Sequence, residues 1–79
     1  MKAKVLRFTV VFEQAEEGGF IARVPALPGC VTQGETLEEA ERMVRDAIKG
    51  YCASLRKHSQ PTPRDLREVV ESIEVAVPA

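Results

Sequence analysis

The chain has 79 residues, 44% hydrophobic and 29% charged, which is material for one globular domain and leaves no length for a second. Eleven Lys and Arg against twelve Asp and Glu give a formal charge of -1, which excludes an overall positive field for drawing in phosphate backbones. One Tyr, three Phe and no Trp exclude an aromatic platform for stacking bases, and two cysteines are too few for a disulfide framework or a four-ligand zinc staple.

Residues 5–13 place Leu6, Phe8, Val10 and Phe12 on one face and Arg7, Thr9 and Glu13 on the other, the period of a half-buried antiparallel strand. Val11 interrupts the polar face. Gln14 to Gly19 form a turn whose Gly18-Gly19 pair accepts positive φ, and Phe20 to Val24 resume the alternation, which completes a hairpin. In Pro25-Ala26-Leu27-Pro28-Gly29, Pro28 suits the first central place of a type II turn and Gly29 the positive-φ second. A short third strand, Cys30 to Gln33, is expected next.

Thr36-Leu37-Glu38-Glu39 has the Thr-x-x-Glu pattern in which Thr36 and Glu39 reciprocally satisfy free amide groups at a helix start. Leu37, Ala40, Val44, Ala47, Ile48, Tyr51 and Leu55 then recur at spacings of three and four, predicting a helix of about twenty residues that lays one apolar stripe on a sheet. Its other side carries Glu38/Arg42, Arg42/Asp46 and Glu41/Arg45 at the supportive i,i+4 spacing, and Arg56, Lys57 and His58 lie where the helix dipole favours cations. Pro61 and Pro63 are expected to stop the helix. Residues 64–70 are ambiguous, since Leu66, Val69 and Val70 have helical spacing, while Ser72 to Val77 read as a final strand. The order β-β-β-α-β describes an α+β domain: an antiparallel three-stranded sheet plus an edge strand, covered on one face by one long helix. A right-handed crossover would bring the last strand parallel to the first at the free edge.

No catalytic, cofactor-binding or metal-ligating residue is assigned. His58 has no triad partners around it, Cys30 has no basic neighbour to depress its pKa and reads as buried packing, and Cys52 reads as a small hydrophobe. Gly18, Gly19 and Gly29 join strand to strand, so turn geometry accounts for them without a phosphate. One helix shields only one side of a sheet, which leaves Arg7, Thr9, Val11, Ile21, Arg23 and Val31 as candidates for an uncovered face mixing apolar and cationic groups, suited to contact with another chain. A core this small, burying only about 60% of the unfolded surface, makes association a natural reinforcement. Met1-Lys2-Ala3-Lys4 leads into alternation rather than an apolar leader, and no run approaches the ~18 apolar residues of a membrane span, so a cytoplasmic protein is expected.

The runs Glu16-Glu17-Gly18-Gly19-Phe20, Pro25-Ala26-Leu27-Pro28-Gly29-Cys30-Val31-Thr32-Gln33-Gly34 and Thr36-Leu37-Glu38-Glu39-Ala40 resemble the HicB-like antitoxins. The resemblance covers about two thirds of the chain and is carried by the turn and cap residues Gly18, Gly19, Pro25, Leu27, Pro28, Gly29, Cys30, Thr36 and Glu39. It implies a domain like a reduced ribonuclease H fold that binds and neutralises a small HicA-type ribonuclease toxin, commonly as a dimer or tetramer. Where many members carry Asp before Leu-Pro-Gly this chain has Ala26, so no role for that carboxylate is expected. Longer members attach a DNA-binding module after the sheet domain. Here Pro78-Ala79 follow the expected last strand, so direct operator binding is not expected. A ribonuclease H-like enzyme needs several carboxylates converging on two metal ions, the first inside strand one. Glu13 stands only at the end of that strand, and Glu38, Glu41 and Asp46 fall on the charged side of the helix. The reading is therefore a non-enzymatic antitoxin without cofactor; a stand-alone oligomeric interaction domain and a degenerate hydrolase are the alternatives.

Overall fold

The structure is a computed structural model and describes residues 4–65 and 68–78. Three strands, β1 (Val11–Gln14), β2 (Phe20–Arg23) and β3 (Val31–Gly34), make one antiparallel sheet in the order β1-β2-β3, and α1 (Leu37–Lys57) packs across β3 and β2. The α+β class, with three antiparallel strands followed by one long helix, is as expected.

Local chemistry sets both connections within the sheet. Ala15 and Gly19 close the hairpin through Ala15 N–H to Gly19 O, 3.0 Å, with Gly18 and Gly19 both at positive φ. In the second connection two reverse turns follow one another: Leu27 N–H donates to Val24 O at 3.0 Å and Cys30 N–H to Leu27 O at 2.9 Å. Gly29, at φ +80, takes the left-handed second place after Pro28, as the type II turn requires. This loop is core rather than surface, because the Leu27 side chain is fully buried with Ala22, Val24, Cys30, Ala40 and Val44 around it. Removing such a side chain costs about 2–5 kcal/mol.

Strand one is shorter than its alternation suggests. The ladder runs from Gln14↔Phe20 to Val11↔Arg23, and the next positions outward on β2 lead to Pro25. Pro25 has no N–H to donate and the chain turns inward there, so residues 5–10 lose their neighbour although Phe8 and Val10 still pack on the core. β3 likewise runs from Val31 to Gly34 rather than from Cys30 to Gln33.

Half of the expected reciprocal cap forms at the start of α1: Thr36 Oγ1 accepts from the Glu39 N–H at 3.0 Å, and the Glu39 carboxylate returns no bond to the Thr36 N–H. Ala40 and Val44 are buried and Ala47, Ile48 and Tyr51 pack on the core, whereas Leu37, also in the expected stripe, is 44% exposed. Of the expected i,i+4 ion pairs, Glu41–Arg45 closes, at 3.2 Å. The helix ends at Lys57, before either proline: Gln60 N–H donates to Leu55 O at 2.8 Å and Ser59 N–H to Arg56 O at 3.1 Å, with Ser59 at φ 55. That is a Schellman cap with serine in the place glycine usually takes, so the prolines follow the stop rather than cause it.

The fourth strand expected at Ser72 to Val77 does not join the sheet. Residues 68–78 form neither helix nor strand, and Ile73, Val75 and Val77 are 76%, 72% and 76% exposed. A strand exists only through a hydrogen-bonding neighbour, and this segment finds none among the described residues. The described part of 64–70 is not helical, and Leu66 lies outside the described residues.

Candidate protein interface

Register decides which side chains share a face. Val11 pairs with Arg23 and Arg23 with Val31, while Glu13 pairs with Ile21 and Ile21 with Gln33. Because Phe12, Ala22 and Thr32 stand opposite one another on the helix side, these six residues occupy the open side. The register thus brings together Val11, Ile21, Arg23 and Val31 from the expected set, with the two β-branched side chains of Val11 and Ile21 half-buried beside the exposed Val31.

Arg7 and Thr9 precede β1 and stand apart from that cluster. Arg7 is exposed, and Thr9 is engaged elsewhere: its N–H donates to Asp65 Oδ1 at 2.9 Å and its Oγ1 to Asp65 Oδ2 at 2.8 Å.

Glu13 and Gln33 share this face although neither was in the expected contact set, and Glu13 carries a charge pair there. Its Oε1 accepts from Arg23 Nη2 at 2.7 Å, diagonally across the β1–β2 ladder. Both side chains are about half exposed, so the pair contributes at most about 1 kcal/mol to stability. It sets two opposite charges side by side among the apolar residues of this face. The signal for it was available: once the hairpin turn at 15–19 is fixed, Glu13 and Arg23 fall on one face two positions apart.

The turn and cap residues hold the scaffold rather than form a site. Gly18, Gly19, Pro28 and Gly29 shape the turns, Leu27 and Cys30 are buried, Pro25 ends the ladder, and Thr36 and Glu39 make the helix cap. Burial pushes the Cys30 thiol above its ordinary pKa, and the nearby Cys52 pushes it further, the opposite of what an activated nucleophile needs. His58 Nδ1 lies 2.8 Å from the Ser54 carbonyl and helps close the helix end. Among the described residues no group of three or more His, Cys, Asp or Glu could hold a metal ion. No described helix is long and apolar enough to cross a membrane.

These features define a two-layer α+β domain whose sheet is clothed by a helix on one side and presents a patterned, partly apolar surface on the other. Residues 8–77 match the family described as HicB_like antitoxin of bacterial toxin-antitoxin system, and the chain belongs to that family. It is similar to a UPF0150 protein of Thermoplasma acidophilum, 43% identical over 65 residues, which span 82% of this chain and 94% of the relative. A UPF0150 protein of Synechocystis is 39% identical over 62 residues, covering 78% of each. Antitoxin HicB 1 of Photorhabdus laumondii is 44% identical over 45 residues, 57% of this chain but 29% of that longer protein. Membership in an antitoxin family makes this a non-enzymatic regulatory protein of a toxin-antitoxin system.

Proposed function

We propose that the protein binds a small HicA-type ribonuclease toxin and blocks it sterically, working as a homo-oligomer and contacting the toxin through the open face of the sheet. The family match over residues 8–77 supports the toxin-binding role. The observation that carries the choice of surface is the register that gathers Val11, Ile21 and Val31 around the Arg23–Glu13 pair. Apolar anchors supply most of the binding energy at such surfaces, and the two fixed charges set orientation.

The test is co-expression with a small basic protein encoded beside this chain. Growth arrest by that protein should be relieved by the wild type and not by Val11→Glu with Ile21→Glu, provided the variant keeps the wild-type circular dichroism spectrum. If the wild type relieves no arrest and does not co-purify with the neighbouring product, the toxin reading fails and a stand-alone interaction domain replaces it. If the double variant rescues as well as the wild type, the open face is not the toxin surface.

A further inference from the structure

The segment 68–78 contains the alternating pattern of a strand and pairs with no strand among the described residues. Its apolar residues Val69, Val70, Ile73, Val75 and Val77 are all exposed, and its charged residues Glu68, Glu71 and Glu74 are all acidic. The molecule is correspondingly drawn out, with extents of 58 × 26 × 20 Å and a radius of gyration of 15.4 Å. A compact chain of this length would have a radius of roughly 12 Å.

The complementary surface is also present. Between residues 4–12 and the flank of α1 lies an open cleft of about 690 Å³. Leu6, Phe8, Val44 and Ile48 form part of its apolar lining. Four cations stand around it, Lys4, Arg7, Arg45 and Lys49, against one acid, Glu41. It adjoins the outer edge of β1, which has no partner strand among the described residues. An acidic, alternating segment and a cationic, apolar cleft beside a free sheet edge match in charge, in hydrophobicity and in hydrogen-bonding need.

The occupant cannot easily be the segment of the same chain. Residues 62–65 and 68 lie alongside residues 4–9, joined by the Thr9–Asp65 bonds, and line a separate cleft with them. To enter its own helix-side cleft the chain would have to reverse between Glu68 and Ser72. That stretch, Val69-Val70-Glu71, contains no Gly, Pro, Asn or Asp, and its β-branched pair favours extended backbone. We infer that residues 72–77 of one protomer pair with the β1 edge and fill the cleft of a second copy, which returns its own segment in the same way to give a two-fold strand-exchanged dimer. This specifies the self-association included in the preceding proposal and is independent of whether a toxin is bound.

The test uses two full-length charge variants, Glu71→Lys with Glu74→Lys in one and Arg45→Glu with Lys49→Glu in the other. Sedimentation velocity should show the wild type as a dimer and each variant alone weakened by about thirty-fold or more in dimer affinity, the scale of a lost hot spot. An equimolar mixture should recover a one-to-one heterodimer, because each segment then meets a cleft of opposite sign. A segment folded back on its own chain cannot produce that recovery. As a second variant, full-length Ile73→Asp with Val75→Asp should be monomeric with unchanged helix content. A monomeric wild type would overturn both the oligomer and the exchange. A dimer unaffected by these substitutions, or a mixture that fails to recover, would overturn the exchange alone.

Discussion

The Thr9 amide and hydroxyl both donate to the carboxylate of Asp65, at 2.9 and 2.8 Å, tying the stretch before β1 to the chain beyond the helix. The two residues are 56 apart in sequence, so one carboxylate fastens both ends of the domain to each other. The backbone bond also satisfies an N–H that loses its ladder partner where Pro25 ends the pairing.

Thr9→Val keeps the shape and the amide bond and removes the hydroxyl bond. It is expected to lower unfolding free energy by about 1 kcal/mol. The check is urea denaturation together with amide exchange, which should rise at residues 6–10 and 62–65 and stay unchanged in α1. Equal exchange throughout would show that the contact does not hold these segments.

Gly34 is a second constraint, invisible to pattern reading. A Cβ placed on it would stand 2.5 Å from the Ala40 backbone nitrogen and 2.9 Å from its Cα, where β3 passes against the first turn of α1. Neither atom can move without displacing the helix, so Gly34→Ala is expected to cost about 2–4 kcal/mol. Gly50→Ala is the control, since its added methyl meets nothing; mid-helix it should be stabilising by up to about 1 kcal/mol. Thermal melts of the two variants should therefore move in opposite directions.

What the sequence made legible was local. The hairpin turn, the Pro28-Gly29 turn and the Thr36 cap each depend on a few adjacent residues whose chemistry has one good solution. Alternation correctly placed Phe8 and Val10 against the core but not Leu6, which is exposed, and it overstated the strand, because period two says nothing of whether a neighbour is present. The same reasoning explains Ile73, Val75 and Val77. The close approach at Gly34 was not legible because it depends on the crossing of two elements, and the Glu13–Arg23 pair because it depends on register. Val11 and Ile21, which break the polar alternation of their strands, were the sequence's own sign of a second apolar face.

The Cys30 thiol gives a pH-dependent prediction. Its folded pKa is raised, chiefly by burial and then by Cys52, so the native state favours the protonated thiol more than the unfolded state does. Its contribution is therefore complete below the unfolded thiol pKa and is lost as pH rises through and above it. Denaturation midpoints should fall more steeply toward alkaline pH for the wild type than for Cys30→Ala. Alkylation at neutral pH should modify the half-buried Cys52 well before Cys30. Equal alkylation rates would contradict the burial of Cys30.

The two connections of the sheet also differ as places where the chain can be altered. At Glu16 and Glu17 the hairpin tip points into solvent, and at Leu27 the connection passes through the core. An epitope tag or fluorescent label spliced into the first can be carried without disturbing α1. One spliced between Pro25 and Gly29 would pull Leu27 out of its socket, so only the first gives a reporter that follows the protein without altering its fold.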